Sequence, residues 1–413
     1  MIIIIGAGIT GLSVAGALKK SWMILEKESY WGGLCTQYKT GNHWFDFSGH
    51  YFHFKGKDKI KKKLDRHAPF IQYKKRSKTL VCNRMVPFPL QFHLSYLPRS
   101  LGRQILNEIL SGSRHSAGSL SDFLKANFGH SLFKLFFEPF LTKYLQRDLE
   151  SIIANMDKGS IPVPDKEQVL QGFSGKRFDD TGYNPVFYYP AIPMRRFIDN
   201  MAEKTKPGIH LNEPVVKIDT NARRVFTPNR SYPYDTIINT MPLKNLVQLL
   251  EPGDQLPPHQ SFDHISTSFT NVVLRKKKRR FHWLYIPDPD IPFYRVGFYP
   301  GQSPPVCYLE RTLKPGENSQ RSLPTETAAQ ILKRLDVIDQ PDDIMFQDTR
   351  TIPVSYVIFN HQWPNTVPAT LKQLKRWGIH SIGRYGAWTY SSMSDDVRSA
   401  LETAELMNRN HPV

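Results

Sequence analysis

Four isoleucines, Ile2 to Ile5, form an apolar, β-branched run with the composition of a buried parallel strand. The run breaks at Gly6-Ala7-Gly8-Ile9-Thr10-Gly11 and passes into LSVAGALKK, which keeps helical spacing. WMILEK, residues 22–27, then returns to an apolar strand that ends in a carboxylate. Strand, glycine turn, helix and strand in that order predict the βαβ opening of a dinucleotide-binding fold. Residues 90–156 read as helical, with Leu and Phe at helical spacing in SLSDFLKANFGHSLFKLFFEPFLTKYL. Ser121 and Asp122 make the N-cap region expected there. Residues 157–190 read as loop-rich, punctuated by Pro162, Pro164, Gly172, Gly175, Gly182 and Pro185. PMRRFIDNMAEKT predicts a helix, and IHLNEPVVKID followed by RRVFTPNRSYPYDTIINTM predicts strands. Residues 266–300 and 345–360 alternate in strand fashion, and IGRYGAWTYSSMSDDVRSALETAELMN reads as a strand, a glycine-rich turn and a final helix.

Rossmann-like pieces therefore lie at both ends and in the middle of the chain. The expected fold class is α/β, with a Rossmann-like cofactor-binding domain over 1–90, 191–260 and 361–413. A mainly helical insertion over 91–190 and an antiparallel β-sheet substrate domain over 261–360 interrupt it. A length of 413 residues fits two or three such packed units.

Composition adds less than the pattern does. The chain is 40% hydrophobic and 22% charged, as an ordinary globular protein is. Cys35, Cys82 and Cys307 are far apart and share no metal-ligand spacing, which suits a reducing cytoplasm and predicts a cytoplasmic protein without metal. The opening isoleucines lack the basic residues of a secretory leader, and no run approaches the roughly 20 apolar residues of a membrane span.

The net charge of +18 does change the picture. Residues 55–78 hold eleven Lys and Arg against two Asp, and RKKKRR at 275–280 reads as a solvated hairpin loop. Such runs suit steering of an anionic small molecule or peripheral contact with an acidic membrane surface. No nucleic-acid recognition module accompanies them.

The candidate chemistry begins at the glycines. Gly6 permits a tight turn, Gly8 lets backbone approach a pyrophosphate, and Gly11 allows close helix–strand packing. Glu26, twenty residues after Gly6, is placed to accept ribose hydroxyls. A second glycine pair, Gly32-Gly33, follows at once. GHYFHF, Gly49 to Phe54, sets His50 and His53 among aromatics and reads either as a packed strand or as a wall beside a flat cofactor.

Trp31-Gly32-Gly33-Leu34, placed just after the acidic residue, resembles the FAD-binding amine oxidase superfamily, which includes protoporphyrinogen oxidases, phytoene desaturases and UDP-galactopyranose mutases. Pro214-Val215-Val216-Lys217-Ile218-Asp219 is similar to the superfamily strand whose valine contacts the adenine. The resemblance implies FAD, held by Gly6, Gly8, Gly11, Glu26, Lys27, Gly32, Gly33, Leu34 and Val215.

Within the superfamily the later motifs look most like UDP-galactopyranose mutases. Gly49-His50-Tyr51-Phe52-His53 matches a stretch that passes the flavin ring, and Gly383-Arg384-Tyr385-Gly386-Ala387-Trp388-Thr389-Tyr390 resembles GRYGAWKY. Met393-Ser394-Asp395-Asp396 stands where the family starts a helix aimed at the flavin pyrimidine, a placement that favours a reduced, anionic flavin. Gly383, Arg384, Ser394 and Asp395 would thus join the cofactor site. Ile291-Pro292-Phe293-Tyr294-Arg295 resembles CPFYR, whose arginine binds the diphosphate. The sequence departs from the family at Tyr188, where a second diphosphate arginine is expected, and Arg195 or Arg196 are candidates to replace it.

The resemblance implies a redox-neutral isomerase of polysaccharide biosynthesis. Reduced flavin N5 would be the nucleophile on the anomeric carbon of a nucleotide sugar, with NAD(P)H a candidate reductant. His50, Arg295, Tyr390 and Trp388 would form the catalytic set, and Tyr188, Arg295, Tyr356 and Tyr390 would bind substrate. The other class of function is an oxidase or desaturase of the amine oxidase or protoporphyrinogen oxidase type. The tyrosine pair Tyr188-Tyr189 and the aromatic-rich 90–190 stretch are compatible with it.

Overall fold

The computed structural model describes residues 1–112, 118–154, 161–178, 184–253, 255–276, 278, 281–314, 316–317 and 322–409. Gly182 and three positions of RKKKRR lie outside the described residues. The chain divides into two compact units. The first comprises 1–73, 187–263 and 362–413, and the second 74–186 and 264–361.

The first unit is built on a five-stranded parallel sheet in the order Ile379–Ser381, Thr236–Asn239, Ile2–Ile5, Trp22–Leu25, Ile209–His210. Ile2–Ile5 is central and buried along its length, which is why it shows no alternation. Its neighbours are Thr236–Asn239 and Trp22–Leu25, with Ile2 opposite Thr236 on one side and Trp22 on the other. The helix Ile9–Ala15 packs against the long helix Met393–Arg409, so the first and last helices share one layer. The same unit holds a second sheet of Ser231–Pro233, Arg224–Phe226, Lys217–Asp219 and Leu250–Glu251, and the hairpin Gln37–Thr40 and His43–Asp46.

The second unit contains both the helical stretch and the later strands. Its seven-stranded sheet runs Ile344–Val357, His264–Leu274, Val306–Thr312, Arg295–Phe298, Trp283–Tyr285, Ser77–Val81, Arg84–Pro87. Alternation divides the two faces. Val296, Phe298, Cys307, Leu309, Leu284, Val272 and Leu274 form one apolar core with the helix Thr325–Arg334. Arg295, Tyr308, Glu310 and Tyr285 belong to the opposite face. A second core of Leu and Phe gathers the helices Arg99–Ser111, Leu120–Leu132, Glu138–Leu145 and Lys166–Phe173.

Two local expectations are corrected. The N-cap of Leu120–Leu132 is Ser119, two residues earlier than read, because Ser119 and Asp122 form a reciprocal capping box. The basic run at 275–280 does not close a hairpin, since His264–Leu274 pairs with Val306–Thr312 and Ile344–Val357 rather than with Trp283–Tyr285. Its Lys276 and Lys278 pair with Asp336 and Asp339 instead of facing solvent alone. Among the described residues no helix is long and apolar enough to cross a membrane, and no cluster of His, Cys, Asp and Glu could hold a metal.

Candidate functional site

In the first unit the glycine turn leaves the sheet at Gly6, whose φ of 100° is open to glycine. A Cβ on Gly11 would stand 2.0 Å from the Gly6 carbonyl oxygen, so only glycine lets this helix start so close to its strand. A Cβ on Gly8 would meet nothing within 4 Å. The backbone there faces open space beside a helix start, which suits approach by a phosphate. Gly32 bridges to Gly8 and donates to the Ala7 carbonyl at 2.8 Å, so the two glycine pairs of the sequence form one surface.

Glu26 is buried at the end of its strand, and burial pushes its carboxyl up from the ordinary range. One oxygen accepts from Ala7 N–H at 2.6 Å and the other from Glu28 N–H at 2.9 Å. Each keeps a lone pair for a ribose hydroxyl. Glu213 N–H donates to the Glu26 carbonyl at 2.8 Å, which brings the segment of buried Val215 alongside. Leu34 sits in the short turn Gly33–Cys35, and exposed Lys27 pairs with Glu28 at 3.3 Å.

GHYFHF is neither a strand nor a free loop. A single bridge, Phe52 to Tyr188, holds it, with backbone hydrogen bonds of 3.0 and 2.9 Å. Tyr51, Phe52 and Phe54 are buried while His50 and His53 are half-buried. Phe52 and Phe54 join Phe70 and Phe197 in one aromatic cluster, and Tyr51 meets Phe187 and Tyr189. The structure thus builds an aromatic wall that carries the two histidines.

Behind this wall lies buried Asp46, which the sequence reading missed. It accepts from Gln37 and from the Tyr189 hydroxyl, each at 2.7 Å. Burial pushes its pKa up to about 6 against those two hydrogen bonds. Asp396 is raised to about 6 by burial in the same way, opposed by Ser391 at 2.6 Å and by the Arg384 charge. Burial also pushes the Cys35 thiol up, with Asp396 and Asp46 adding to it.

At the C-terminal motif, Gly383 has φ 76° and starts a one-turn helix to Gly386. The Arg384 guanidinium lies 4.6 Å from the Tyr390 ring centroid and donates to the Ser391 carbonyl at 2.7 Å, so it orients Tyr390. The Ser394 hydroxyl, in the first turn of Met393–Arg409, is buried with no hydrogen-bond partner among the described residues. Two expectations change here. Asp395 is consumed in capping: its carboxylate takes Ser392, Lys57 at 2.9 Å and Arg398 at 2.8 Å, and its own N–H donates back to Ser392. Trp388 has no exposure, packs edge-on against Phe262 at 5.8 Å and accepts from Trp363 at its carbonyl. It is a core residue and does not border an open site.

In the second unit Arg295 sits opposite Glu310 in the sheet register. The pair is bidentate: Nε and Nη2 engage the two Glu310 oxygens, the latter at 2.9 Å. Burial is the largest single influence and opposes the guanidinium charge, but Glu310, Tyr356 and Tyr308 together outweigh it and raise Arg295 above its usual range. Arg295 Nη2 also reaches the Tyr356 hydroxyl at 3.5 Å. Tyr356 stands on Ile344–Val357 with its ring edge-on to Tyr144 at 5.1 Å, and Tyr144 tilts against Tyr294 at 4.9 Å. A Cβ at Gly297 would fall 2.1 Å from the Tyr308 ring, so glycine there lets that tyrosine lie flat on the strand.

Tyr188, expected where the family has an arginine, follows Phe187 on the strand Val186–Pro190. Its hydroxyl donates to Gln72 at 3.0 Å on an exposed face, and its ring leans on Phe54 at 5.1 Å. Arg195 is engaged as well, over the Trp44 ring at 4.4 Å and beside Asp199 at 3.8 Å. Sequence reasoning missed Glu310, although a lone carboxylate inside VCYLERT was its signal: a charge in a buried strand calls for a partner.

The residues of the first unit therefore fit a flavin dinucleotide: an open glycine surface, a buried carboxylate with lone pairs to spare, and an unsatisfied buried hydroxyl at a helix start. The comparisons agree. The chain resembles a reduced UDP-galactopyranose mutase with TM-score 0.86 at 21% identity, over 98% of this chain and 93% of that one. It resembles a protein from Exiguobacterium sp. 255-15 named for protoporphyrinogen oxidase with TM-score 0.76 at 15% identity, over 99% of each chain. It also resembles cyclohexylamine oxidase from Brevibacterium oxydans with TM-score 0.68 at 14% identity, over 98% of each chain. Residues 4–66 match the NAD(P)-binding Rossmann-like domain, and residues 48–305 match the flavin-containing amine oxidoreductase family. FAD is the cofactor, and the chain belongs to the flavin-containing amine oxidoreductases.

Proposed function

We propose that the protein is a UDP-galactopyranose mutase-like enzyme that isomerises the sugar ring of a nucleotide sugar without net redox change. The observation that supports this reading is Arg295, clamped by Glu310 and touching Tyr356, on the face of the seven-stranded sheet opposite Val296 and Phe298. Bound FAD, when reduced, supplies a nucleophilic nitrogen. The chain's own residues do the rest. Arg295 and the Tyr356 hydroxyl bind and orient the diphosphate that leaves the anomeric carbon. Tyr390, held under Arg384, gives a further hydroxyl donor. His50 holds or carries a proton at its imidazole, and the aromatics around it exclude water.

One observation favours the other reading. Glu310 already neutralises Arg295, which weakens its pull on an anion and leaves an amine or apolar substrate open to oxidation. The test is direct. The holoenzyme is reduced with dithionite under nitrogen and given UDP-galactofuranose. Conversion to UDP-galactopyranose only with reduced flavin supports the mutase. No conversion, with peroxide formed from amines or porphyrinogens by oxidised enzyme, overturns it.

A further inference from the structure

We propose that the basic face of the helix Asp58–Leu64, continued through Arg66, docks the protein reversibly on the headgroup layer of an anionic phospholipid bilayer. The inference is independent of the sugar chemistry above and concerns a lysine run that the candidate site leaves unused.

Helix geometry sorts the run into faces. Residues four apart lie on one side of a helix, and those three apart lie beside them. Ile60 and Leu64 are buried and mark the inner side. Lys61 pairs with Asp65 at 2.9 Å and leans on the Phe70 ring at 6.0 Å, so acid and base cancel on one flank. Lys57, at the N-cap, is spent on Asp395 at 2.9 Å. Lys59 and Lys63 form one row four apart. Lys62 and Arg66 form the next, because the backbone stays helical at Asp65, with φ −54° and ψ −21°. All four cations are exposed, and none makes an ion pair among the described residues.

A second element adds to this face. Asn200 donates to the His67 carbonyl at 2.7 Å, which ties the turn after the basic helix to Met194–Ala202, and exposed Lys204 follows that helix. Burial pushes the His67 imidazole down against the Asn200 hydrogen bond, and Arg66, Lys204 and Lys63 add to the push, so all three cations lie near it. Like charges gathered without a counter-charge favour an anionic partner. From Lys59 to Arg66 the face runs about 10 Å along the helix axis, which is long for one phosphate and suits a plane of headgroups. Ammonium groups on flexible stems fit a fluid array of phosphates better than one fixed ligand. The two rows hold no aromatic side chain to stack on a nucleic-acid base and no apolar one to enter the bilayer, so attachment is electrostatic.

The test floats FAD-loaded protein with phosphatidylcholine vesicles, with or without phosphatidylglycerol, at low and at high salt. Wild type rises only with the anionic vesicles, and salt releases it. Lys59→Gln with Lys63→Gln weakens that binding roughly twentyfold, at about fivefold for each cation. Lys372→Gln with Lys375→Gln removes equal charge from exposed positions of the helix Trp363–Arg376 and leaves binding within about twofold. Both double variants keep their flavin and their melting temperature, because all four side chains are exposed. Wild type that ignores anionic vesicles at low salt, or an equal loss in the two double variants, overturns the proposal. Unchanged vesicle binding by the Lys59, Lys63 variant overturns it too. With lost retention on duplex DNA, that result reassigns the face to nucleic acid; with a salt-dependent fall in kcat/KM for UDP-galactofuranose, it reassigns the face to substrate steering. Vesicle binding is read without turnover, so it stands or falls apart from the proposed function.

Discussion

Replacing Glu310 by Gln tests the centre of the second unit. Glu310 has 3% side-chain exposure and Arg295 has 17%, so the pair is buried at one end and nearly so at the other. Removing one member of such a pair leaves the other charge buried without compensation, which costs about 3–5 kcal/mol. The residual access of Arg295 to water puts the expectation at the lower end, about 3 kcal/mol. For a unit of about 200 residues, each kcal/mol moves the melting temperature by roughly 2–4 °C, so Glu310→Gln lowers the transition of the second unit by roughly 6–12 °C. The double variant Arg295→Met with Glu310→Leu melts above Glu310→Gln, because neither charge is then stranded. Scanning calorimetry on the holoenzyme measures both. A Glu310→Gln transition within about 2 °C of wild type, or a double variant that melts lower still, refutes the reasoning.

The other expectations concern the first unit. Gly11→Ala drives a Cβ against the Gly6 carbonyl at 2.0 Å and yields protein largely free of FAD, read from the ratio of flavin to protein absorbance; stoichiometric flavin would contradict the assigned turn. Lys57→Met removes an ion pair of 2.9 Å to Asp395 and a hydrogen bond of 3.2 Å to Ser392, costs about 1–2 kcal/mol, and speeds amide exchange over residues 49–57; unchanged exchange there would show the tie to be idle. Asp46 titrates at about 6 in the fold against an ordinary 3.8. The folded protein thus binds that proton more tightly than the unfolded chain. Stability is full below about pH 4, falls by about 2–3 kcal/mol as pH rises to about 6, and is flat above. Asp396 adds a like slope, so Asp46→Asn roughly halves the pH dependence of melting between 4 and 6, and an unaltered slope would count against a buried Asp46 charge.

What the sequence made legible was what local pattern controls. IIII, GAGITG and WMILEK fold as read because strand burial, glycine space and helix start are set within a few residues. The capping box beginning at Ser119 was nearly read, two residues off, since Ser119 and Ser121 are chemically alike and only the reciprocal bond to Asp122 separates them. Trp388 was misplaced for a different reason. Family motifs preserve a residue's position in the chain, and whether its ring faces the core depends on Phe262, more than a hundred residues earlier. Glu310 did carry a sequence signal, the lone carboxylate of VCYLERT, but its partner Arg295 becomes visible only when the two strands fall into register.

Register also explains how a strongly basic chain can present a selective site. Charge alone would draw any anion, and the described lysines of the 275–280 run are spent on Asp336 and Asp339. In the seven-stranded sheet the two faces of one strand do opposite work. Val296 and Phe298 bury into the apolar core, which fixes the strand, and that fixes Arg295 on the other side to the width of a hydrogen bond with Glu310. A guanidinium locked in this way loses little entropy when a ligand arrives. It also gives up part of its attraction to Glu310, so affinity for an anion depends on what else lies on that face. Tyr356, whose hydroxyl lies 3.5 Å from Arg295 Nη2, is the residue set beside it. On the proposed function, selectivity for a diphosphate over a lone carboxylate comes from the spacing of weakly attracting groups rather than from one strong cation. On that account Tyr356→Phe weakens diphosphate binding more than phosphate binding, and equal losses for the two anions in parallel titrations would show that spacing plays no part.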